Sequence, residues 1–328
     1  MKIAAYIGGL LGLALLVALV VRADAGAMLH TLELAGWQLL WLAPYRLLYF
    51  LLFAIGWEAL LRPYDLAHRV GLGYAFWVTT VREAIDRLLP VASVGGGLAA
   101  VRLMRWRGLA AASVAATVII EVVLTVAVLY VFAVLGVLLL NHLRAGGTTY
   151  RELLFALLCT LPIPILTALL LRYGKVFRRL ERYLRPLLGA GALAADAALL
   201  DRELHATLSR ARTLVLSGAL QLLAFVSGSL EVWFVLRLFG HPVELRSALM
   251  LESLTQALRH LAFIVPGGIG VQEAAFVVFG QSLGLGAELA LAVSMAKRIR
   301  EVVCGLPALA SWQWLEARRL RAPARDAP

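Results

Sequence analysis

The chain has 328 residues, of which 62% are hydrophobic and only 16% are charged, and its mean hydropathy is +0.85. A soluble domain has about 45–50% apolar and about 25% charged residues, so this composition predicts an integral membrane protein. The net charge of +11 does not indicate nucleic-acid binding, because most arginines fall in short segments between apolar runs, where positive charge sets topology. Cys159 and Cys304 lie within apolar segments, so neither a disulfide framework nor a zinc site is predicted.

The first apolar run, Ile3 to Val21, has the length of a spanning helix. A cleaved secretory signal is the alternative, because residues 23–25 imitate a cleavage site, although the run is long and Arg22 intervenes. Residues 37–61 form the second predicted span. It contains Arg46 and Glu58, two charges that need partners within the bundle.

The next two apolar stretches, residues 70–80 and 88–104, are short and flank the charged segment 82–87. They have the pattern of one re-entrant helix pair, which breaks where Pro90 meets the glycines at positions 95–97. Residues 110–140 then predict a very long helix of about 46 Å at 1.5 Å per residue, which must tilt or project from the bilayer.

The second half begins with a predicted span at residues 153–171, kinked by Pro162 and Pro164. Residues 172–212 form the only extended polar region, in which basic and apolar side chains between Lys175 and Leu187 alternate at helical spacing. This pattern is typical of a basic amphipathic helix on the membrane surface. A solvated hairpin that sets topology is the alternative, and both interpretations place the region in the cytoplasm.

Residues 214–239 predict another span, and residues 245–283 predict a second broken pair. The chain from Leu285 onward predicts a final long helix. Within the second pair, residues 264–273 place glycines, a proline and a carboxylate between two short apolar segments. Irregular backbone inside a bilayer is tolerated only where protein or trapped water satisfies its amide groups. Such breaks in transporters often lie at the substrate site.

The positive-inside rule gives this partition a coherent topology. Every strongly basic segment and both termini are cytoplasmic, while residues 141–151 and 241–246 are periplasmic. The predicted fold class is all-α: one polytopic membrane domain, residues 1–328, with about six spanning helices and two re-entrant pairs. Repeat 1 covers about residues 1–150 and repeat 2 about residues 151–320, with the second inverted, as is common in secondary transporters. Eight full spans is the alternative.

Residues 266–273, Pro-Gly-Gly-Ile-Gly-Val-Gln-Glu, resemble the signature of the flippase-like membrane family that includes the transmembrane region of lysylphosphatidylglycerol synthases. The resemblance covers nearly the whole chain. Three strings, residues 88–96, 265–276 and 305–316, also resemble the hopanoid-biosynthesis-associated subgroup called HpnL. Gly97 departs from the subgroup's pattern, which tends to place an acidic residue there. The chain carries no soluble acyltransferase domain, so the resemblance does not imply aminoacyl transfer.

Ionisable groups within membrane segments cost at least about 2.5 kcal/mol each on insertion scales, so they usually mark a pathway or an internal ion pair. The candidate residues for a lipid-headgroup cavity lie at the two breaks and on the last helix: Arg82, Glu83, Pro90, Gly96, Glu252, Arg259, Pro266, Gly267, Gly268, Gly270, Glu273, Arg298, Arg300 and Glu301. Asp86, Arg87, His260 and Lys297 stand beside them. We expect Arg82, Arg259, Glu273 and Arg300 to converge on one cavity near mid-membrane.

A structural interpretation of the same charges is equally open, in which they form salt bridges that join the two repeats. Glu273 has a further alternative, because it stands near the start of the helix that follows Gly270. A carboxylate there caps exposed amides and complements the helix dipole. The same helix end also suits a lipid phosphate.

The predicted function is lipid translocation in the bacterial inner membrane, linked by the resemblance to the biosynthesis and trafficking of hopanoids or other polar lipids. Arginines would hold an anionic or polar headgroup while the acyl chains remain in the bilayer. The expected partners are membrane lipids and lipid-biosynthetic enzymes, with no nucleic acid. We expect no cofactor, no metal and no catalytic residue, because no HExxH, GxSxG or P-loop motif occurs.

Two other functions remain open at this level. An intramembrane lipid-modifying enzyme would use Glu252, His260 and Glu273 for acid–base chemistry. A non-transporting scaffold would hold lipid-biosynthetic enzymes at the membrane through the basic region 172–212. A charged groove open to lipid favours translocation, a closed pocket with converging Glu and His favours catalysis, and a dry, fully paired core favours a scaffold.

Overall fold

The computed structural model describes residues 2–22, 25–89, 95–144, 152, 155, 158–173, 192–262 and 265–321. Those residues fold into helices joined by turns, with no strand among them, so the predicted all-α class is confirmed. Two sequence predictions fall outside the described residues: the break at Pro90 and the basic amphipathic segment 175–187.

The first half of the chain contains six α-helices: α1 (Lys2–Arg22), α2 (Ala25–Ala35), α3 (Leu42–Leu61), α4 (Leu72–Leu88), α5 (Gly95–Arg105) and α6 (Ala111–Arg144). The 3₁₀ segment Gly36–Trp41 joins α2 to α3, so the second predicted span starts earlier than the sequence indicated. The 34 residues of α6 extend about 51 Å, which confirms the very long helix.

The second half contains six more described helices: α7 (Pro162–Tyr173), α8 (Ala192–Leu208), α9 (Ala211–Leu238), α10 (Leu245–Leu261), α11 (Val271–Gln281) and α12 (Ala287–Arg321). The helix α7 begins at Pro162, and residues 158–160 before it are also helical, so the helical run is interrupted at this proline, where the sequence predicted a kink. Proline is tolerated in the first turn, where its missing amide hydrogen leaves no bond unmade. A short 3₁₀ turn, Pro266–Gly268, lies between α10 and α11.

Three helical segments of the described chain are long and apolar enough to cross a membrane: Gly26–Tyr64, Ala111–His142 and Ala211–Leu238. The hairpin helices are shorter, since α4 and α10 have 17 residues and α5 and α11 have 11. At 1.5 Å per residue an 11-residue helix measures about 17 Å, well short of a hydrocarbon core about 30 Å thick. Neither α5 nor α11 is therefore long enough to span alone.

The charged segment 82–87, which separates two short apolar stretches in the sequence, is helical. It forms the last turns of α4, and the chain leaves the helix only after Leu88. The helix persists through these charges because side chains from other helices neutralise them, as described below. The break therefore follows the charges.

The two halves pack in a reciprocal pattern. The helices α3 and α9 pack against each other, α4 packs on α12 as α10 packs on α6, and α2 packs on α12 as α8 packs on α6. Within each half, the first hairpin helix contacts the preceding helix and the second contacts the following one. If each of the helices α2–α6 is exchanged with its counterpart among α8–α12, in chain order, the helix contacts named here stay the same.

The central pair, α3 and α9, runs antiparallel. Near one end the rings of Tyr45 and Phe234 have centroids 5.6 Å apart. Near the other end Gly56 lies against Ser217, whose Oγ is 3.1 Å from the position of a Cβ on that glycine. Residue numbers therefore rise along one helix as they fall along the other, so these two counterpart helices point in opposite directions.

The described part of the predicted polar hairpin is packed into the bundle instead of being solvated. Leu204 on α8 is fully buried and belongs to a core cluster with residues of α3–α6. The hydroxyl of Tyr64 donates to the carbonyl of Glu203 at 3.1 Å and lies 2.6 Å from the hydroxyl of Thr207. Leucines spaced along α8 supply this apolar face.

Candidate functional site

A cavity of about 510 Å³ lies where the two broken pairs meet. Helix α3 contributes an aromatic wall of Tyr49, Phe50 and Phe53, and α6 contributes Val122 and Thr125. The remaining wall is charged and comes from the last turns of α4 and α10 and from the turn 265–268. Both halves of the chain therefore build this cavity.

The charged wall on α4 carries two partly buried ion pairs. Arg82 Nη1 donates to Glu121 Oε2 on α6 at 2.6 Å, and the guanidinium of Arg82 also lies over the ring of Trp57. Arg87 Nε donates to Glu83 Oε1 at 2.8 Å, and Glu83 accepts a second hydrogen bond from Arg46 on α3. These pairs neutralise charges that would otherwise be costly inside the bundle.

Asp86 differs from its charged neighbours in the cavity wall. Its Oδ1 accepts a hydrogen bond from the backbone amide of Gly96 at 2.9 Å, and within the described residues it has no salt-bridge partner. Gly96 is needed for this contact, since a Cβ there would lie 2.6 Å from the carbonyl oxygen of Arg82. The start of α5 is thus held against α4. Arg82 and Arg87 of the same helix lie near Asp86, but neither forms a salt bridge with it among the described contacts.

The turn after α10 has the irregular backbone that its glycines predicted. Gly267, Gly268 and Gly270 have φ values of +61°, +62° and +80°, so the backbone is irregular where the sequence predicted a break. A Cβ on Gly267 would lie 2.8 Å from the carbonyl oxygen of Arg87. The turn of the second half therefore touches the backbone of α4 in the first half.

Two arginines hold this turn from the opposite side. Arg298 donates from Nη1 to the carbonyl of Gly267 at 2.8 Å and from Nη2 to that of Gly268 at 3.0 Å. Arg259 donates from Nη2 to the carbonyl of Gly267 at 2.9 Å and to Glu301 at 2.9 Å. Of these two arginines, only Arg259 lines the cavity.

Glu273 caps α11 and does not reach the cavity. Its Oε2 accepts from the amide of Gly270 at 2.7 Å, and its Oε1 accepts from Ser294 Oγ and Arg298 Nε at 3.0 Å. The side chain is fully buried. The geometry is that of the helix-capping interpretation, in which a carboxylate satisfies amides at a helix N-terminus.

Two further predicted groups also lie outside the cavity wall. Arg300 pairs with Glu231 on α9 at 2.8 Å, and Lys297 pairs with Glu252 on α10 at 2.5 Å. All four side chains are no more than 3% exposed. The sequence expected Arg300 beside Arg82, but Arg300 points to α9 because its counter-charge lies there.

The sequence-predicted site residues therefore fall into three groups. Arg82, Glu83, Arg259, Gly267 and Gly268 line the cavity. Gly96, Pro266, Gly270, Glu273, Arg298 and Glu301 lie behind it or at its turns, and Glu252 and Arg300 lie in separate ion pairs. Pro90 is outside the described residues.

Among the described residues, the ion pairs with little solvent exposure do not join the two repeats, contrary to the structural alternative. Each buried pair among the described residues connects helices of the same half, such as Arg82 with Glu121 or Arg300 with Glu231. The pair that crosses between halves, Arg102 with Glu316, involves an arginine side chain that is 60% exposed. Contact between the halves at the breaks is instead made by backbone, at Gly267 and Arg87.

Sequence reasoning missed Glu121 and the aromatic wall. Glu121 is the one carboxylate in the apolar run 110–140, and an isolated charge there is costly enough to signal a partner. Tyr49, Phe50 and Phe53 carry no comparable signal, because aromatic residues are common in any apolar helix. Only the fold shows that they face charged groups.

The cavity combines hydrogen-bond donors, a carboxylate without a salt bridge among the described residues, and an apolar wall. Arg82 uses Nη1 and Arg87 uses Nε in the ion pairs described, and a guanidinium has five N–H donors. No group of three or more His, Cys, Asp or Glu positioned to hold a metal ion occurs among the residues that the structure describes. The arrangement suits binding of a polar group that carries both acceptors and donors.

Comparison with known families gives one match, to the family described as the lysylphosphatidylglycerol synthase TM region, over residues 6–308. Comparisons with curated proteins and with solved structures gave no significant match. The match includes both broken pairs and every residue of the cavity wall. Together with the long apolar helices it identifies a multi-pass membrane protein, and the family points to lipid metabolism.

Proposed function

We propose that this chain, which belongs to the lysylphosphatidylglycerol synthase transmembrane-region family, is a non-enzymatic translocase that moves polar lipids across the inner membrane. One observation carries the proposal: charged residues from both halves converge on a single cavity at the two helix breaks. In transporters, substrate sites commonly lie where broken helices of two repeats meet.

The packing pattern supports an inverted repeat. The halves exchange without changing the set of helix neighbours, and the counterpart helices α3 and α9 run antiparallel. A two-fold axis that relates antiparallel spanning helices lies in the membrane plane. We therefore infer six spanning helices and two re-entrant pairs, α4–α5 and α10–α11, instead of eight spans.

The position of the cavity favours access from the bilayer. Its wall residues on α6 belong to the candidate span Ala111–His142, and those on α3 to Gly26–Tyr64. Val122 lines the cavity and is also 54% exposed on the flank of α6. This exposure supports an opening beside lipid, through which a headgroup would enter while its acyl chains stay outside.

The chemistry of the wall fits a lipid headgroup. A cavity of about 510 Å³ lies within the range of about 300–1,000 Å³ for small-molecule sites and holds a headgroup but not a whole lipid. The free donors of Arg82 and Arg87 suit phosphate oxygens or other acceptors. Asp86 suits a hydroxyl or amine, and the aromatic wall on α3 suits the apolar part next to the headgroup.

The alternatives have less support from the geometry. Catalysis by Glu252, His260 and Glu273 requires these groups to meet, but only His260 lines the cavity, while Glu252 and Glu273 are engaged in ion pairs and a helix cap. The scaffold function depends on the basic region 172–212, much of which lies outside the described residues. A link to hopanoids is part of our proposal and rests on the three strings that resemble the hopanoid subgroup. Cytoplasmic termini are also part of the proposal and rest on the positive-inside rule.

The test compares two arginine–glutamate pairs between helices, one inside the cavity wall and one outside it. Arg82 and Glu121 line the cavity, whereas Arg300 and Glu231 do not. The double variants Arg82→Gln/Glu121→Gln and Arg300→Gln/Glu231→Gln each remove one buried pair without leaving an unpaired charge. Each would be reconstituted in liposomes that contain fluorescent phosphatidylglycerol or phosphatidylethanolamine.

Lipid movement would be followed by dithionite quenching of the fluorophore in the outer leaflet. We expect the cavity variant to lose at least tenfold in the rate of lipid movement, with the control variant close to the unmodified protein. Equal rates in the two variants, or equal losses, would contradict a headgroup site in the cavity. Size-exclusion profiles and thermal unfolding of both variants establish that each protein is folded.

A further inference from the structure

A second charged feature lies away from the cavity, at the turn 106–108 between α5 and α6. Arginines from three separate segments surround it: Arg69 from the loop before α4, Arg105 and Arg107 from the turn itself, and Arg319 from the end of α12. We call these four residues the arginine cluster. All four are exposed.

Aromatic rings fix two of these guanidinium groups. Arg107 lies over the ring of Tyr74 at 4.4 Å from its centroid, and Arg319 lies over Trp106 at 4.3 Å. Arg69 reaches the same turn, where its guanidinium packs against Gly108. Stacking occupies the face of a guanidinium and leaves its N–H edge free, so the cluster presents oriented donors to its surroundings.

Carboxylates do not neutralise the cluster within the described residues. Asp65, the nearest acid in sequence to Arg69, accepts from the backbone amides of Arg69 and Val70 at 2.9 and 2.7 Å. Glu316, on the same helix as Arg319, pairs with Arg102. The described salt bridges include none of the four cluster arginines. Four cations thus face outward together.

The position of the cluster in the sequence favours the depth of a membrane interface. The candidate span of α6 begins at Ala111, only four residues after Arg107. Trp314, which is 57% exposed, lies near the cluster on α12, and tryptophan is enriched at headgroup level. Basic pockets beside spanning helices at this depth attract anionic headgroups.

We propose that the arginine cluster is a binding site for the phosphate groups of an anionic phospholipid. The site is separate from the cavity, because Tyr74 and Asp86 stand twelve residues apart on α4, about 18 Å along the helix. Several fixed guanidinium groups without carboxylate partners match a headgroup with two phosphates, such as that of cardiolipin, better than a zwitterionic headgroup. The interfacial depth makes a lipid the source of the phosphate.

Native mass spectrometry of the full chain, titrated with cardiolipin or phosphatidylcholine, tests this site. The variant Arg107→Gln/Arg319→Gln removes two stacked cations, and both side chains are exposed, so folding is retained. The matched control Arg202→Gln/Arg246→Gln removes the same charge from exposed arginines that lie next to Glu203 and Glu244. We expect cardiolipin affinity to fall at least tenfold in the cluster variant and to stay within twofold in the control.

Three results would overturn the proposal. These are an equal loss of affinity in both variants, an affinity of the unmodified protein for phosphatidylcholine equal to that for cardiolipin, and binding of inorganic pyrophosphate as tight as that of cardiolipin. The first would show a general charge effect, the second the lack of phosphate selectivity, and the third a site for free phosphate instead of lipid.

Discussion

The turn at Gly267 gives a prediction that the structure allows to be worked out in magnitude. At φ +61° an alanine would adopt the left-handed backbone conformation, which costs about 1–2 kcal/mol for a residue with a Cβ. Its Cβ would also lie 2.8 Å from the backbone carbonyl oxygen of Arg87, which cannot move aside as a flexible side chain does. Overpacking of this kind costs about 1–3 kcal/mol. We therefore expect Gly267→Ala to lower the free energy of unfolding by about 2–5 kcal/mol.

The matched control is Gly284→Ala. Gly284 has a φ of +74°, but nothing lies within 4 Å of its Cβ position, so only the backbone cost of about 1–2 kcal/mol applies. Unfolding would be measured by titrating detergent-solubilised protein with sodium dodecyl sulfate and following tryptophan fluorescence. If Gly267→Ala is no less stable than Gly284→Ala, the turn does not touch α4 and the argument for contact between the breaks fails.

Three further predictions concern the buried charges and the topology. Lys297→Met alone leaves the buried carboxylate of Glu252 without its counter-charge and should lower the free energy of unfolding by about 3–5 kcal/mol. The double variant Lys297→Met/Glu252→Gln should recover most of that loss in the same titration. Asp65→Ala leaves two backbone amides without their acceptor and should cost about 1–3 kcal/mol, and a loss below 0.5 kcal/mol would show that water replaces the carboxylate. In a cysteine-free background, His142→Cys should react with an impermeant maleimide in intact cells and Arg202→Cys only after permeabilisation; the reverse pattern would reject the orientation.

The long apolar helices were predictable from sequence because their signal is local. Residues 110–140 contain a single charge, so a helix of that length has no competing interpretation. The break at 266–270 was equally clear, since only glycine adopts positive φ at consecutive positions at little cost. Both features follow from neighbouring residues alone.

Partners between helices were not predictable, because they depend on the fold. Arg82 and Arg300 both looked like cavity residues, yet the first finds Glu121 on α6 beside the cavity and the second finds Glu231 on α9 away from it. No local pattern distinguishes these two arginines. The same dependence explains why the sequence alone did not show which groups in α4 and its neighbouring helices neutralise the charges of segment 82–87.

The most direct test of the central claim, a lipid headgroup inside the cavity, is photochemical crosslinking of the unmodified protein in liposomes. The probe is a phospholipid with a photoreactive group in its headgroup, and the sites of attachment are identified by mass spectrometry. The account predicts adducts on cavity residues of α6 such as Thr125, and none on Val131 of the same helix, which is 59% exposed and lies outside the cavity wall. Adducts on Val131 and none on Thr125 or its cavity neighbours would contradict it.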